Sequence, residues 1–172
     1  MIIFINGPFG VGKTETARLL NKTLDNSLIF DPEDAGQLLK NVLNDVDPKN
    51  DFQEYDLWPT LTIDVAKRLK EKYQRALIIP MTVYNNERFQ ALTDGLKNFD
   101  ADFHHFCLLC NEKLLKERLL GRGEKPESWG FQHIHNSLKA YESSEFEQKI
   151  ITDNKDVGQA VEHIIKSLGR QF

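Results

Sequence analysis

MIIFINGPFGVGKTETARLL, residues 1–20, decides the fold of this 172-residue chain. Ile2 to Ile5 is an unbroken apolar run, the pattern of a strand buried on both faces. Gly7-Pro8-Phe9-Gly10-Val11-Gly12-Lys13-Thr14 follows directly: two glycines with four residues between them, then Lys and Thr. Ala17, Leu20 and Leu24 then share one face of a helix. Strand, loop and helix in that order are what a phosphate-cradling loop requires. Gly10 and Gly12 let backbone N–H groups turn inward with no Cβ blocking a phosphate oxygen. The helix start adds its positive dipole end. Lys13 is placed to reach β- and γ-phosphates, and the Thr14 hydroxyl to hold Mg²⁺. The predicted nucleotide contacts are Gly7, Phe9, Gly10, Val11, Gly12, Lys13, Thr14 and Glu15. A chance Lys-Thr after a glycine-rich turn would not explain the order of elements around it.

Four further short apolar runs follow: Ser27 to Phe30, Ala76 to Pro80, Phe103 to Leu109, and Lys149 to Thr152. Helical spacing fills the gaps. Leu38 and Val42, with the nearby Leu39 and Leu43, form one set, and Ile63, Ala66, Leu69 and Tyr73 another. Leu114, Leu115, Arg118 and Leu119 repeat the pattern, and Val157, Val161, Ile164, Ile165 and Leu168 make the last stripe. Strands alternating with helices imply parallel pairing through right-handed crossovers, an α/β doubly wound sheet. No repeat or low-complexity tract divides the chain, so residues 1–172 read as one domain. The irregular stretch Asn44 to Asp56 reads as a surface loop leading into a helix.

With 40% hydrophobic and 28% charged residues the chain can bury a core and stay in solution. Its formal charge of −4 argues against a nucleic-acid binder working through a broad cationic face. No apolar run approaches the roughly 20 residues of a membrane helix. The N-terminus lacks the basic region of a secretory signal, so a cytoplasmic location is expected.

Phosphoryl transfer needs a group to orient or deprotonate the acceptor, and charge to meet the moving phosphoryl group. Asp31 closes the second strand, at the carboxyl edge where open α/β sheets bind ligands. Its carboxylate is the candidate base or substrate orienter, and Asp31 before Pro32 is equally a helix N-cap. Glu33 and Asp34 are expected to decorate that helix's first turn. The third strand, ALIIPMTV, ends without an acid, which leaves Asp31 as the nearest carboxylate for the metal and Thr82 as a hydroxyl for substrate or phosphate. Arg118 and Arg122 lie four apart on a helix running into GRGEKPESWG, Gly121 to Gly130. That spacing sets both guanidinium groups on one face, and a mobile loop could bring them onto the γ-phosphate as a lid over about 118–133. Trp129 in the loop is expected to pack on a base, a substrate ring or the protein wall.

Other signals carry less. Cys107 and Cys110 spell C-x-x-C, but in a strand an offset of three sends them to opposite faces, and no second pair completes a zinc site. His104 and His105 likewise diverge, so no structural metal is assigned. Phe52, Tyr55 and Trp58 fall at helical spacing, a pattern commoner in cores than in pockets.

MIIFINGPFGVGKTETA, DPEDAGQLL, DFQEYDLW, IIPMTV, HHF, SWGFQHI and ITDN together resemble the tunicamycin-resistance ATP-binding proteins of bacilli, over nearly the whole chain. The resemblance implies a small P-loop kinase fold with strand order 2-3-1-4-5 and ATP with Mg²⁺ at Gly7 to Thr14. It implies an acceptor site bounded by Asp31 and the segment carrying Phe52, Tyr55 and Trp58. It also implies a lid around Arg118 to Trp129, with Asp153 and Asn154 bordering the adenine. The bacillus protein carries a further C-terminal segment linked with membrane association, whereas this sequence ends at Phe172, so membrane partners are not expected. The expected activity is transfer of the γ-phosphoryl group to a hydroxyl of a small sugar, nucleoside or antibiotic. The alternative is a protein that binds ATP and sequesters a nucleoside-like drug without phosphoryl transfer. A nucleotide acceptor is the weaker reading, because Arg68, Arg75 and Arg88 are scattered.

Overall fold

The computed structural model describes residues 1–169; Arg170, Gln171 and Phe172, the end of the expected domain, lie outside them. Five strands form one parallel sheet: β1 (Ile2–Asn6), β2 (Ser27–Ile29), β3 (Ala76–Pro80), β4 (Phe103–Leu109) and β5 (Lys149–Ile151), in the order β2-β3-β1-β4-β5. β1 is central. Ile2 to Ile5 are fully buried, which explains why they read as continuous rather than alternating. Their pleat still divides two cores. Ile2 and Phe4 join Leu77, Ile79, Trp58 and Phe89 on one face, whereas Ile3 and Ile5 join Ile78, Phe106 and Leu108 on the other.

The helices follow the strands in the expected places. The first core is covered by α2 (Pro32–Leu43), α3 (Leu57–Tyr73) and α4 (Asn86–Phe99). The second is covered by α1 (Lys13–Thr23), α5 (Glu112–Gly121) and α8 (Val157–Ser167). Short helices α6 (Trp129–Gln132) and α7 (Ile134–Ala140) lie between α5 and β5. Side-chain caps set several starts. Asp31 accepts the Glu33 N–H with Pro32 in the first helical turn, Asn111 caps α5, and Asp156 and Gln159 close a reciprocal box on α8.

Two expectations change at the level of elements. The buried side of α2 is Ala35, Gly36 and Leu39, not Leu38 and Val42, which are 53% and 65% exposed. α2 packs through its first turns over Phe52 and Trp58, and the ring of Phe52 occupies the space a Cβ on Gly36 would take. That close approach turns the helix away from its more hydrophobic stripe. The segment Gly121 to Gly130 is also not loop throughout: Ser128 accepts the Phe131 N–H and starts α6 at Trp129. Cys107 and Cys110 are buried, free thiols in opposite cores, as their spacing requires.

Candidate active site

The loop between β1 and α1 takes its shape from three glycines with positive φ: Gly7 at 142°, Gly10 at 81° and Gly12 at 104°. A Cβ on Gly7 would collide with the Leu108 carbonyl oxygen, so β4 presses directly on the loop. Gly12 differs. A Cβ there would meet no protein atom within 4 Å, and the residue is needed for its left-handed backbone at the start of α1. The loop is anchored at Asn6, fully buried at the end of β1. Its Oδ1 accepts from the N–H groups of Gly7 (2.8 Å) and Val83 (3.0 Å) and from the Tyr141 hydroxyl (2.8 Å). Its Nδ2 donates to the Val83 carbonyl at 2.8 Å. One amide thereby fixes the phosphate loop, the exit of β3 and the segment after α7. Sequence reasoning missed Asn6, although a polar residue ending an apolar strand was the available signal.

Lys13 folds back over its own loop, with Nζ donating to the carbonyls of Gly7 (3.0 Å) and Pro8 (2.9 Å) and lying 5.6 Å from the Phe9 ring centroid. Burial lowers its pKa to about 7, and the carboxylates of Asp31 and Glu33 offset only part of that. An ammonium ion so poorly compensated is matched to anionic phosphate oxygens. The N-terminal end of α1, the open space over Gly12 and Lys13 together fit a nucleotide's phosphates. Thr14 is exposed on the cavity wall beside Lys13, where its hydroxyl could hold Mg²⁺. Among the described residues no three His, Cys, Asp or Glu side chains gather around a metal position, so the phosphates would supply the remaining anionic ligands.

Two cavities meet at this loop. The first, about 340 Å³, lies on the β2–β3 side and is walled by Lys13, Thr14, Asp31, Phe52, Thr82 and Trp129, with Glu33, Gln53 and Arg122 also on its lining. The second, about 450 Å³, lies on the β4–β5 side and is walled by Val11, Gly12, Glu15, Arg118, Thr152, Lys155, Asp156 and Val157. Gly10 and Arg122 line both. Burial raises the Asp31 pKa, opposed by the Glu33 N–H that its Oδ1 accepts at 3.0 Å, so this residue both caps α2 and faces the cavity. Glu33, in the first turn of α2 as expected, also lines the same cavity and is raised too, by partial desolvation and then by Asp31. Gln53, also missed in the sequence, is buried and donates from Nε2 to the Thr82 carbonyl at 2.9 Å.

The structure separates some of the predicted residues. Tyr55 and Trp58 are buried in the core behind the cavity and do not line it; the Trp58 indole donates to the Pro32 carbonyl at 3.0 Å and so supports the start of α2. Phe52 does reach the lining. Arg118 and Arg122 share the second cavity, but Arg118 is held there by donating to the Val11 carbonyl at 3.1 Å, which leaves Arg122 to bridge the two cavities. Asp153 turns away to cap Asn111, whose N–H it accepts at 3.0 Å, and neither it nor the exposed Asn154 lines the second cavity. Their neighbours Thr152, Lys155 and Asp156 do. Trp129 packs edge-on against Phe9 at 5.3 Å and stacks on His133 at 4.0 Å, so the lid segment rests on the phosphate loop itself.

This fold and loop agree with known proteins. Residues 3–149 match the AAA domain family. The structure superposes on the tunicamycin resistance protein of Deinococcus radiodurans with a TM-score of 0.83 and 31% identity, covering 99% of this chain and 96% of that one. The chain belongs to the AAA domain family, among its tunicamycin-resistance-like members. Solved structures with kinase names share the fold at lower identity. A Janibacter sugar kinase matches with a TM-score of 0.67 and 15% identity over 98% of this chain and 94% of its own. A Sinorhizobium meliloti gluconokinase matches with 0.65 and 13% over 97% and 90%. No curated protein matches the sequence. The family and these neighbours give an ATP-binding, kinase-like P-loop fold. Among the described residues no helix is long and apolar enough to cross a membrane.

Proposed function

We propose that the protein is an ATP-dependent kinase that transfers the γ-phosphoryl group to a hydroxyl of a small sugar, nucleoside or antibiotic. One observation carries this: Lys13 and Asp31 line the same cavity, so a phosphate held by the loop and a hydroxyl held beside Asp31 would face each other. The nucleoside would lie in the second cavity, with Arg118, Lys155 and Asp156 around it. In the reaction the acceptor oxygen attacks the γ-phosphorus, the bond to the β-phosphate oxygen breaks, ADP leaves, and the hydroxyl proton passes to Asp31. Mg²⁺ held at Thr14 would neutralise phosphate charge. Lys13 and Arg122 meet the remaining charge, while Trp129 over Phe9 keeps water from the loop.

The Deinococcus relative is a tunicamycin resistance protein, so tunicamycin heads the acceptors to try. The test is Asp31→Asn. Product formation should fall by about 10²–10⁴-fold while ATP affinity stays near wild type. Because burial raises the Asp31 pKa, the base is protonated at low pH, and wild-type kcat/KM should climb with pH through a value above the usual carboxylate range. Unchanged turnover in the variant would remove Asp31 as base. A second reading, sequestration of a nucleoside-like drug, is favoured by β3, which ends at Pro80 and is followed by Met81 and Thr82 without the acid a metal would use. Steady ADP release that depends on the acceptor would exclude it.

A further inference from the structure

The acceptor half of the first cavity has a definite chemical character, and the inference drawn from it rests on the kinase reading. Once phosphates engage Lys13 and Arg122, the groups left facing an acceptor are chiefly hydrogen-bond acceptors. Asp31 and Glu33 stand together on the first turn of α2, and among the described residues neither makes an ion pair. Asp51 adds a third carboxylate to the lining, 3.8 Å from Arg88, its nearest cation. Gln53, buried beside them, spends one of its two amide hydrogens on the Thr82 carbonyl, and its Oε1 is an acceptor at the cavity wall. Thr82 is itself 97% buried and lines the cavity. The cation on this side, Lys40, is tied to the Asn50 carbonyl at 3.1 Å. Among the described residues the only arginine lining this cavity is Arg122.

We infer that the acceptor carries no negative charge: it is a polyhydroxylated molecule, neutral or amino-bearing, selected by Glu33 and Gln53 through the hydroxyl or ammonium hydrogens it donates. A carboxylate or phosphate on the acceptor would lie beside Asp31 and Glu33, two carboxylates that make no ion pair among the described residues against the single cation of Lys40, and like charges repel. A sugar hydroxyl or an ammonium group finds an acceptor at each of these side chains instead.

The test is competitive turnover by the full chain with Mg-ATP, read by mass spectrometry of phosphorylated products. The probes fall in four classes at equal concentration: glucose, uridine and tunicamycin; glucosamine and kanamycin; gluconate and shikimate; glucose 6-phosphate and uridine monophosphate. Product should form from the neutral or amino-bearing classes, and the acids and phosphates should lag by about a hundredfold. Glu33→Lys should raise the ratio of acid to neutral product by roughly tenfold, a change in selectivity that a merely structural role for Glu33 would not produce. Preferred phosphorylation of an acid or a phosphate would overturn the inference and leave the kinase reading intact. No product from any class, with ATP still bound and binding lost in Lys13→Ala, would overturn the kinase reading and the inference with it. A Glu33→Lys protein that binds ATP normally but keeps the wild-type ratio would overturn the assignment of selectivity to Glu33.

Discussion

Lys13 is the residue where stability and function pull apart. It is held against the carbonyls of Gly7 and Pro8, and burial lowers its pKa to about 7. A cation whose folded pKa lies below its unfolded value costs stability wherever the unfolded chain would bind the proton. The cost is largest below about pH 7, and it fades as pH rises from there toward the unfolded value near 10.5. Lys13→Met should therefore raise the stability of the ligand-free protein by about 1 kcal/mol, roughly 2–4 °C in Tm at neutral pH or below, while abolishing ATP binding. Differential scanning calorimetry at pH 6 and pH 9 checks both halves, since the gain should shrink at the higher pH. A destabilised Lys13→Met would mean that the two carbonyl hydrogen bonds outweigh the buried charge. Residues of this kind were legible in the sequence because Gly7 to Thr14 is a local pattern. Asn6 and Gln53 were not, because their roles arise from partners at positions 83 and 141, and at 82.

The elements follow the same division. All five strands were visible as apolar runs, and their parallel pairing followed from alternation with helices. The buried face of α2 was not visible, since Phe52 against Gly36 overrides the Leu38–Val42 stripe, and neither partner announces the contact in one dimension. For the segment expected to act as a lid, about 118–133, the seat was open in the sequence between a base, a substrate ring and the protein wall. The seat is Phe9, a residue of the phosphate loop, with His133 on the other face of Trp129. Lid and loop are thus one aromatic contact rather than two parts that meet over substrate. Trp129→Ala should leave the fold intact, because the side chain is 36% exposed, but loosen α6 from the loop. KM for ATP should rise by about threefold to tenfold, and the share of ATP lost to water should increase relative to acceptor phosphorylation. Steady-state kinetics with and without acceptor separates the two effects. Unchanged partition between water and acceptor would show that Trp129 only packs.

At the scale of the molecule, the strand order sets the division of labour. β1 is central, so its loop opens toward β3 and β2 on one side and β4 and β5 on the other, and each side carries a cavity. The wall proposed for the acceptor comes from residues between Asp31 and Thr82, and the wall proposed for the nucleoside from the start of α1, Arg118 and the segment Thr152 to Val157. Gly10 and Arg122 belong to both, and Trp129 of the first cavity rests on Phe9 of the loop between them. Two sites sharing these parts should bind cooperatively, because the ligand that orders the loop and lid first spares the second that cost. ADP with Mg²⁺ at 100 times its Kd should stabilise the protein by about 2.7 kcal/mol. A neutral acceptor should add more to that than it adds alone, with a coupling of about 1–2 kcal/mol. A two-by-two thermal melt, each ligand alone and both together, measures the difference directly. Arg122→Ala should bring the two shifts close to additive and also reduce the ADP shift, since Arg122 lines both cavities and is placed on the phosphates. Additive shifts in the wild-type protein would mean that the loop and lid are already set before either ligand arrives, and the two cavities would then act as independent sites on one rigid sheet.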